Sequence, residues 1–196
     1  MKVCLTGGIA SGKSLLSRYL NEFGVETIDA DDIVHELVPQ EERERLRRIV
    51  FTNPEARREL EARIHPLVRR KILSVIEGGR GQESGVRGQE SGVKGDCPPN
   101  LSLPPIAVIP LLFEVQWEKD YDIIICILSS REKQIERMMS SRGYTREEAE
   151  ARLAAQMDPA IKAAKSDYVI LNDSTDEDLK AEARKLVDYL VSKSQA

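Results

Sequence analysis

The chain has 196 residues, of which 41% are apolar and 32% charged, and carries a net charge of −4. That length buries one substantial core, about 70% of the unfolded surface, and the mild acidity excludes a general nucleic-acid coat or an anionic-membrane binder. There is no apolar run of about 18 residues to span a bilayer, and three scattered cysteines, Cys4, Cys97 and Cys126, form no CxxC pair. This cysteine usage fits a reducing compartment. The opening MKVCLTGG lacks the pattern of a signal peptide, so a cytoplasmic protein is expected.

Hydrophobic periodicity predicts alternating strands and helices. Residues 2–6 read as a buried strand, 12–23 as a helix ended by Gly24, and 25–28 as a second strand. From 31 to 77 the pattern is helical, with breaks near Pro39 and at Asn53-Pro54, where Asn53 suits a cap and Pro54 a first helical position. Further strands are expected at 106–109, 121–128 and 168–171. Capping boxes are expected at Ser129/Glu132, Thr145/Glu148 and Ser174/Glu177, each opening a helix. The fold class is therefore α/β, a doubly wound parallel sheet of about five strands covered on both faces. Residues 78–105 stand apart: RGQESGV occurs twice in tandem, at 80–86 and 87–93, within a Gly-, Pro- and Ser-rich stretch that reads as a surface loop.

Residues 7–14, GGIASGKS, match the phosphate-loop pattern G-x-x-x-x-G-K-[ST], placed between a strand and a helix as that motif requires. Glycines let backbone N–H groups turn inward onto phosphate oxygens, and the helix N-terminus adds partial positive charge. The expected nucleotide contacts are Gly8, Ile9, Ala10, Ser11, Gly12, Lys13, Ser14 and Leu15. Lys13 is expected on the β- and γ-phosphates of ATP, and the Ser14 hydroxyl on Mg²⁺. The second strand runs into Asp29-Ala30-Asp31-Asp32 at the end of the sheet where ligands bind. A carboxylate there serves either as the base for an attacking hydroxyl or as a helix cap, and spacing alone leaves both open.

Several segments, in this order, resemble the dephospho-coenzyme A kinase family: LTGGIASGKS, VETIDADDI, the His65-Pro66 segment, IPLLFE (Ile109 to Glu114), the stretch from Gln134 to Gln156, and SDYVILND. They run from Leu5 to Asp173 and together hold about two-fifths of the chain. The resemblance implies transfer of the ATP γ-phosphoryl group to the 3′-hydroxyl of dephospho-coenzyme A, the last step of coenzyme A biosynthesis. It implies that Asp31 is the base, that Arg137 and Arg142 close onto the phosphates, and that Asn172 lies near the adenine. On the acceptor side it implies His65, Arg43, Leu111 and Glu114, with Glu42 standing where the family's Asp-Arg pair has its aspartate. The expected organisation is one kinase domain, with core at 1–34, 105–130 and 158–196, a reduced acceptor part at 35–77, an insertion at 78–104 and a lid at 131–157. Small-molecule substrates are expected, with no nucleic acid or membrane as partner.

Read for themselves, the same residues leave alternatives. Arg137, Arg142, Arg146 and Arg152 lie on two predicted helices joined near Gly143, and an ion-paired solvated surface is the plainer account of them. His65-Pro66 alone predicts a helix break. Glu114 is either ligand-facing or a helix-start residue. The stretch 43–71 carries ten Arg or Lys, but interleaved glutamates make it a solvated face and no nucleic-acid stripe. The chain departs from the family in a short stretch after Val38, in the repeat loop, and in Leu15, where many phosphate loops carry a second hydroxyl. These departures keep another small-molecule kinase, or a non-catalytic ATP-binding protein, as competing expectations.

Overall fold

The computed structural model describes residues 1–38, 54–78 and 103–195. Arg43, Cys97, the breaks expected at Pro39 and Asn53 and both copies of the repeat lie outside them. Five strands form one sheet: β1 (Val3–Gly7), β2 (Thr27–Asp29), β3 (Ile106–Val108), β4 (Ile123–Leu128) and β5 (Tyr168–Leu171), in the order β2-β3-β1-β4-β5. Every pairing is parallel, with Val3 opposite both Ile106 and Ile123. The helices are α1 (Lys13–Glu22), α2 (Ala30–Leu37), α3 (Pro54–Gly78), α4 (Arg131–Arg142), α5 (Arg146–Ala154), α6 (Pro159–Ala164) and α7 (Asp176–Ser194).

The pleat sorts the strand side chains onto two cores. Val3, Leu5, Val108, Ile125 and Ile127 face α1 and α7, where Leu16, Leu20, Leu186 and Leu190 pack against them. Cys4, Ala107 and Ile124 face α2 and α3, where Ile33, Val68, Ile72 and Ile76 pack. Both faces of a parallel sheet are thus buried, as its apolar strands require. A third, small cluster of Ile135, Met138 and Ala149 joins α4 to α5 and takes in Ile9 and Ala10.

Helix ends explain the boundaries. After α1, Gly24 takes φ +80, and its N–H and that of Val25 bond to the carbonyls of Asn21 and Leu20, closing a Schellman turn. The break expected at His65-Pro66 is absent, because Pro66 lies inside α3. An interior proline costs about 3 kcal/mol. Burial of Val68, Ile72 and Ile76 on the same helix contributes about 1.5–3 kcal/mol for each side chain and outweighs that cost. Thr145 and Glu148 form the expected capping box. The box expected at Ser174/Glu177 sits one residue later, on Thr175 and Asp178, since the sequence there holds two overlapping frames of the same spacing. Ser129 caps nothing. Its hydroxyl donates toward β5, to the carbonyl of Asn172 and the carboxylate of Asp173, and α4 starts after Ser130 with no side-chain cap.

Candidate active site

Between β1 and α1 the chain makes a tight loop whose five carbonyls, residues 7–11, all meet donors. Lys13 Nζ donates to the carbonyls of Gly7 (2.9 Å) and Gly8 (2.8 Å). Gln134 Nε2 donates to Ile9 (2.7 Å), Arg137 Nη1 to Ala10 (3.2 Å), and Asn172 Nδ2 to Ser11 (2.8 Å). Two loop amides are engaged as well, Ile9 N–H with Gln156 Oε1 and Ser11 N–H with the Gly8 carbonyl, so the donors an anion would meet here are those at the N-terminus of α1. The first-turn amides of α1, Lys13 to Leu15, have no acceptor within the helix, and no side chain caps its N-terminus. Gly12 takes φ +104, and a Cβ there would overlap the Asn172 amide. No other residue type fits that position.

This loop floors a cleft of about 660 Å³. Its lining includes residues 9–15, Asp29, Asp31 and Pro110, together with Arg137, Arg142, Gln156, Asn172 and Asp176. The two aspartates divide the alternatives left open by spacing. Asp29 Oδ1 accepts the Asp31 N–H at 2.8 Å and caps α2, which leaves the Asp31 carboxylate on the cleft wall. Burial raises the Asp29 carboxyl above its usual range. Burial, and then the positive charge of Lys162, lower the Lys13 ammonium to about 8. A lysine lowered in this way gains most from an arriving polyanion. For a divalent cation the cleft offers hard oxygen donors, the Ser14 hydroxyl and the Asp29 and Asp31 carboxylates, the chemistry that suits Mg²⁺. Among the described residues no group of three metal-binding side chains exists. A Mg²⁺ ion at this position would draw on these oxygens together with phosphate oxygens and water.

The other sequence candidates are spread over the molecule. Arg137 is half-buried and spends its guanidinium on the Ala10 carbonyl, Ser129 Oγ (3.0 Å) and the Asn172 carbonyl (2.9 Å). Arg142, at the exposed end of α4, faces the cleft. Arg146 and Arg152 fit the solvated reading: Arg146 pairs with Glu132 and Glu150, and Arg152 lies over the Tyr144 ring. His65 lies apart, edge-on to Trp117 with ring centroids 5.8 Å apart, in a separate depression of about 490 Å³ with Arg69 and Arg70. Leu111 is exposed after β3. Glu114 pairs with Lys162 at 2.7 Å and accepts the Met157 N–H at 3.4 Å.

Three residues of the site carried no usable motif. Gln134 is buried beside Ile135 and Met138, and a polar residue within that apolar stripe is the signal that marks it. Gln156 accepts the Ile9 N–H at 2.8 Å, so the two glutamines hold the amide and the carbonyl of one loop residue. Lys162 is 1% exposed, and nothing in its local sequence distinguishes it from a surface lysine.

The model of the dephospho-CoA kinase family matches residues 1–44 and 103–178. The dephospho-CoA kinase of Symbiobacterium thermophilum is 35% identical over 191 residues, covering 86% of this chain and 72% of that protein. The dephospho-CoA kinase of Geobacillus kaustophilus is 34% identical over 92% of each chain. Among solved structures, TT1252 from Thermus thermophilus superposes with a TM-score of 0.71 at 29% identity over 97% of both chains. The dephospho-CoA kinase from Campylobacter jejuni superposes with a TM-score of 0.67 at 27% identity over the whole of both. A shikimate kinase from Acinetobacter baumannii, 15% identical with a TM-score of 0.57, shares the fold alone.

Proposed function

This chain belongs to the dephospho-CoA kinase family, and from that premise we infer that it uses ATP to phosphorylate dephospho-CoA, completing coenzyme A. The observation that carries the reading at the site is the pairing of a preformed phosphate cradle with the free Asp31 carboxylate on one cleft. The finer assignment is an in-line transfer to the 3′-hydroxyl of the acceptor ribose. Asp31 takes the hydroxyl proton, the oxygen bonds to the γ-phosphorus, and the bond to the bridging oxygen breaks to release ADP. Lys13 exchanges the Gly7 and Gly8 carbonyls for the phosphates of ATP as these enter. Arg142, on the helical pair α4–α5 that serves as the lid, approaches the transferring group, while Arg137 stiffens the loop that holds it. Ser14 would help to hold a Mg²⁺ ion with the phosphates, and the ion would supply charge neutralisation there. Closure of the lid excludes water, which otherwise competes with the ribose hydroxyl. The reading places the protein in the cytoplasm with small-molecule substrates; among the described residues no helix is long and apolar enough to cross a membrane.

The test is ADP release from ATP and Mg²⁺ with and without dephospho-CoA, with the product identified by mass. Strong stimulation and a product heavier by one phosphoryl group are expected. Unstimulated release, with ATP still bound, rejects the acceptor assignment.

A further inference from the structure

Lys162 is a buried cation that the phosphoryl-transfer scheme does not use. It projects from the short helix α6, immediately beyond the α4–α5 lid, and is 1% exposed. Its ammonium donates to two groups on the segment after β3: the carbonyl of Pro110 at 3.0 Å and Glu114 Oε1 at 2.7 Å. Both partners have second contacts. The Pro110 carbonyl also accepts Thr6 Oγ1 at 3.4 Å, at the end of β1, and Pro110 itself lines the cleft beside Asp29 and Asp31. Glu114 Oε1 also accepts the Met157 N–H, one residue after Gln156, which holds the N–H of Ile9 in the phosphate loop. A continuous set of contacts thus runs from the wall next to the base, through Lys162 and Glu114, to the root of the lid and the loop. Stability alone is a weak reason for such a pair, because apolar side chains of similar volume are often as stable.

We propose that Lys162, through Glu114 and Pro110, is a positioning residue that latches the root of the lid to the acceptor wall of the cleft, so that lid closure and acceptor placement occur together. The proposal rests on the kinase reading above. With the latch removed, the nucleotide still finds an intact cradle, but ATP no longer draws the lid fully closed against the acceptor wall, and water gains access to the γ-phosphate.

Three variants test this: Lys162→Met, Glu114→Gln, and the two combined. In Lys162→Met, ATP affinity is expected to stay within about threefold while kcat falls about tenfold or more. ADP formed per product formed is expected to rise above the one-to-one ratio of the unaltered enzyme. The combined variant should lose no more than Lys162→Met alone, since groups acting as one unit are not additive. Unchanged kcat with one-to-one stoichiometry in Lys162→Met, or additive losses in the pair, overturns the latch. If Lys162→Met does not fold, Glu114→Gln carries the test: it keeps volume and an acceptor but removes the charge, and unchanged kcat and stoichiometry there overturn the proposal equally. Hydrogen exchange of residues 131–157 with and without ATP separates this proposal from the kinase reading. An unaltered protein inert toward dephospho-CoA sinks that reading. Equal ATP-dependent protection in the unaltered and Lys162→Met proteins sinks the latch.

Discussion

The phosphate end of the cleft and its acceptor end are built differently. At the phosphate end, five consecutive carbonyls are fixed by four side chains drawn from α1, from the lid and from the end of β5 — Lys13 serving two of them, with Gln156, at the lid's root, adding a hold on the Ile9 amide. The loop is held in shape before any ligand arrives, so the rearrangement an entering phosphate demands is confined to Lys13 leaving the Gly7 and Gly8 carbonyls. At the end we assign to the acceptor, the Asp31 carboxylate stands at the start of α2, while His65 and its arginines occupy a separate depression. On the proposed reading, nucleotide capture rests on the folded loop, whereas acceptor capture draws on α2, α3 and the lid around the ligand.

The largest expected effect probes the first end. Lys13→Ala should lower turnover at least about a hundredfold by removing the charge that meets the phosphates; near-normal kcat in steady-state assays breaks the phosphate-end account. Asp31→Asn should lower kcat about a hundredfold while ATP affinity stays within a few-fold. Equal loss of ATP binding, read by calorimetry, would move Asp31 from the acceptor end to the phosphate end. Gly12→Ala should weaken ATP on the order of tenfold, because a side chain at φ +104 is strained and displaces Asn172 from the Ser11 carbonyl.

Titration of Lys13 sharpens the same contrast. With the ammonium lowered to about 8, raising the pH from 7 to 9 should weaken ATP up to about tenfold as the charge is lost. Binding of a nucleoside lacking phosphates should not change over that range. The stability effect has the opposite sense. The folded value lies below the ordinary lysine value of 10.5, so burying the charged form costs stability below pH 8, and that cost fades between pH 8 and 10.5. The smallest effect is expected from deleting residues 80–93, the tandem repeat. Its composition offers almost nothing to a core, so melting temperature should move little and activity less than about twofold.

Much of the phosphate end was legible in the sequence. GGIASGKS after an apolar strand specifies a cradle because glycine, lysine and serine at that spacing have few other joint uses, and the strand-helix alternation specifies a covered parallel sheet. The two aspartates were legible as a pair, but their roles were not: either can cap α2, and only the orientation at the start of the helix gave Asp29 that bond and freed Asp31. The four lid arginines were equally ambiguous. Arg146 and Arg152 stay on the surface, Arg137 turns inward onto carbonyls, and Arg142 reaches the cleft, a division set by which side of α4 and α5 packs on the loop. The helix break read into His65-Pro66 failed because burial further along α3 outweighed a local preference.

The sequence by itself determined what its near neighbours control: the phosphate-loop chemistry, the strands and helices, the Schellman turn at Gly24 and the capping box at Thr145. Such features depend on residues a few positions apart, and their energies are present in the local pattern. Only the tertiary structure decided the contacts that shape the loop from outside. Gln134 reaches Ile9 across 125 positions and Asn172 reaches Ser11 across 161. Lys162 meets Pro110 across 52 positions. Those meetings follow from the strand order β2-β3-β1-β4-β5, which sets the ends of β1, β3, β4 and β5 side by side. A strand order is a choice among buried sheets of similar apolar content, and no local pattern encodes it.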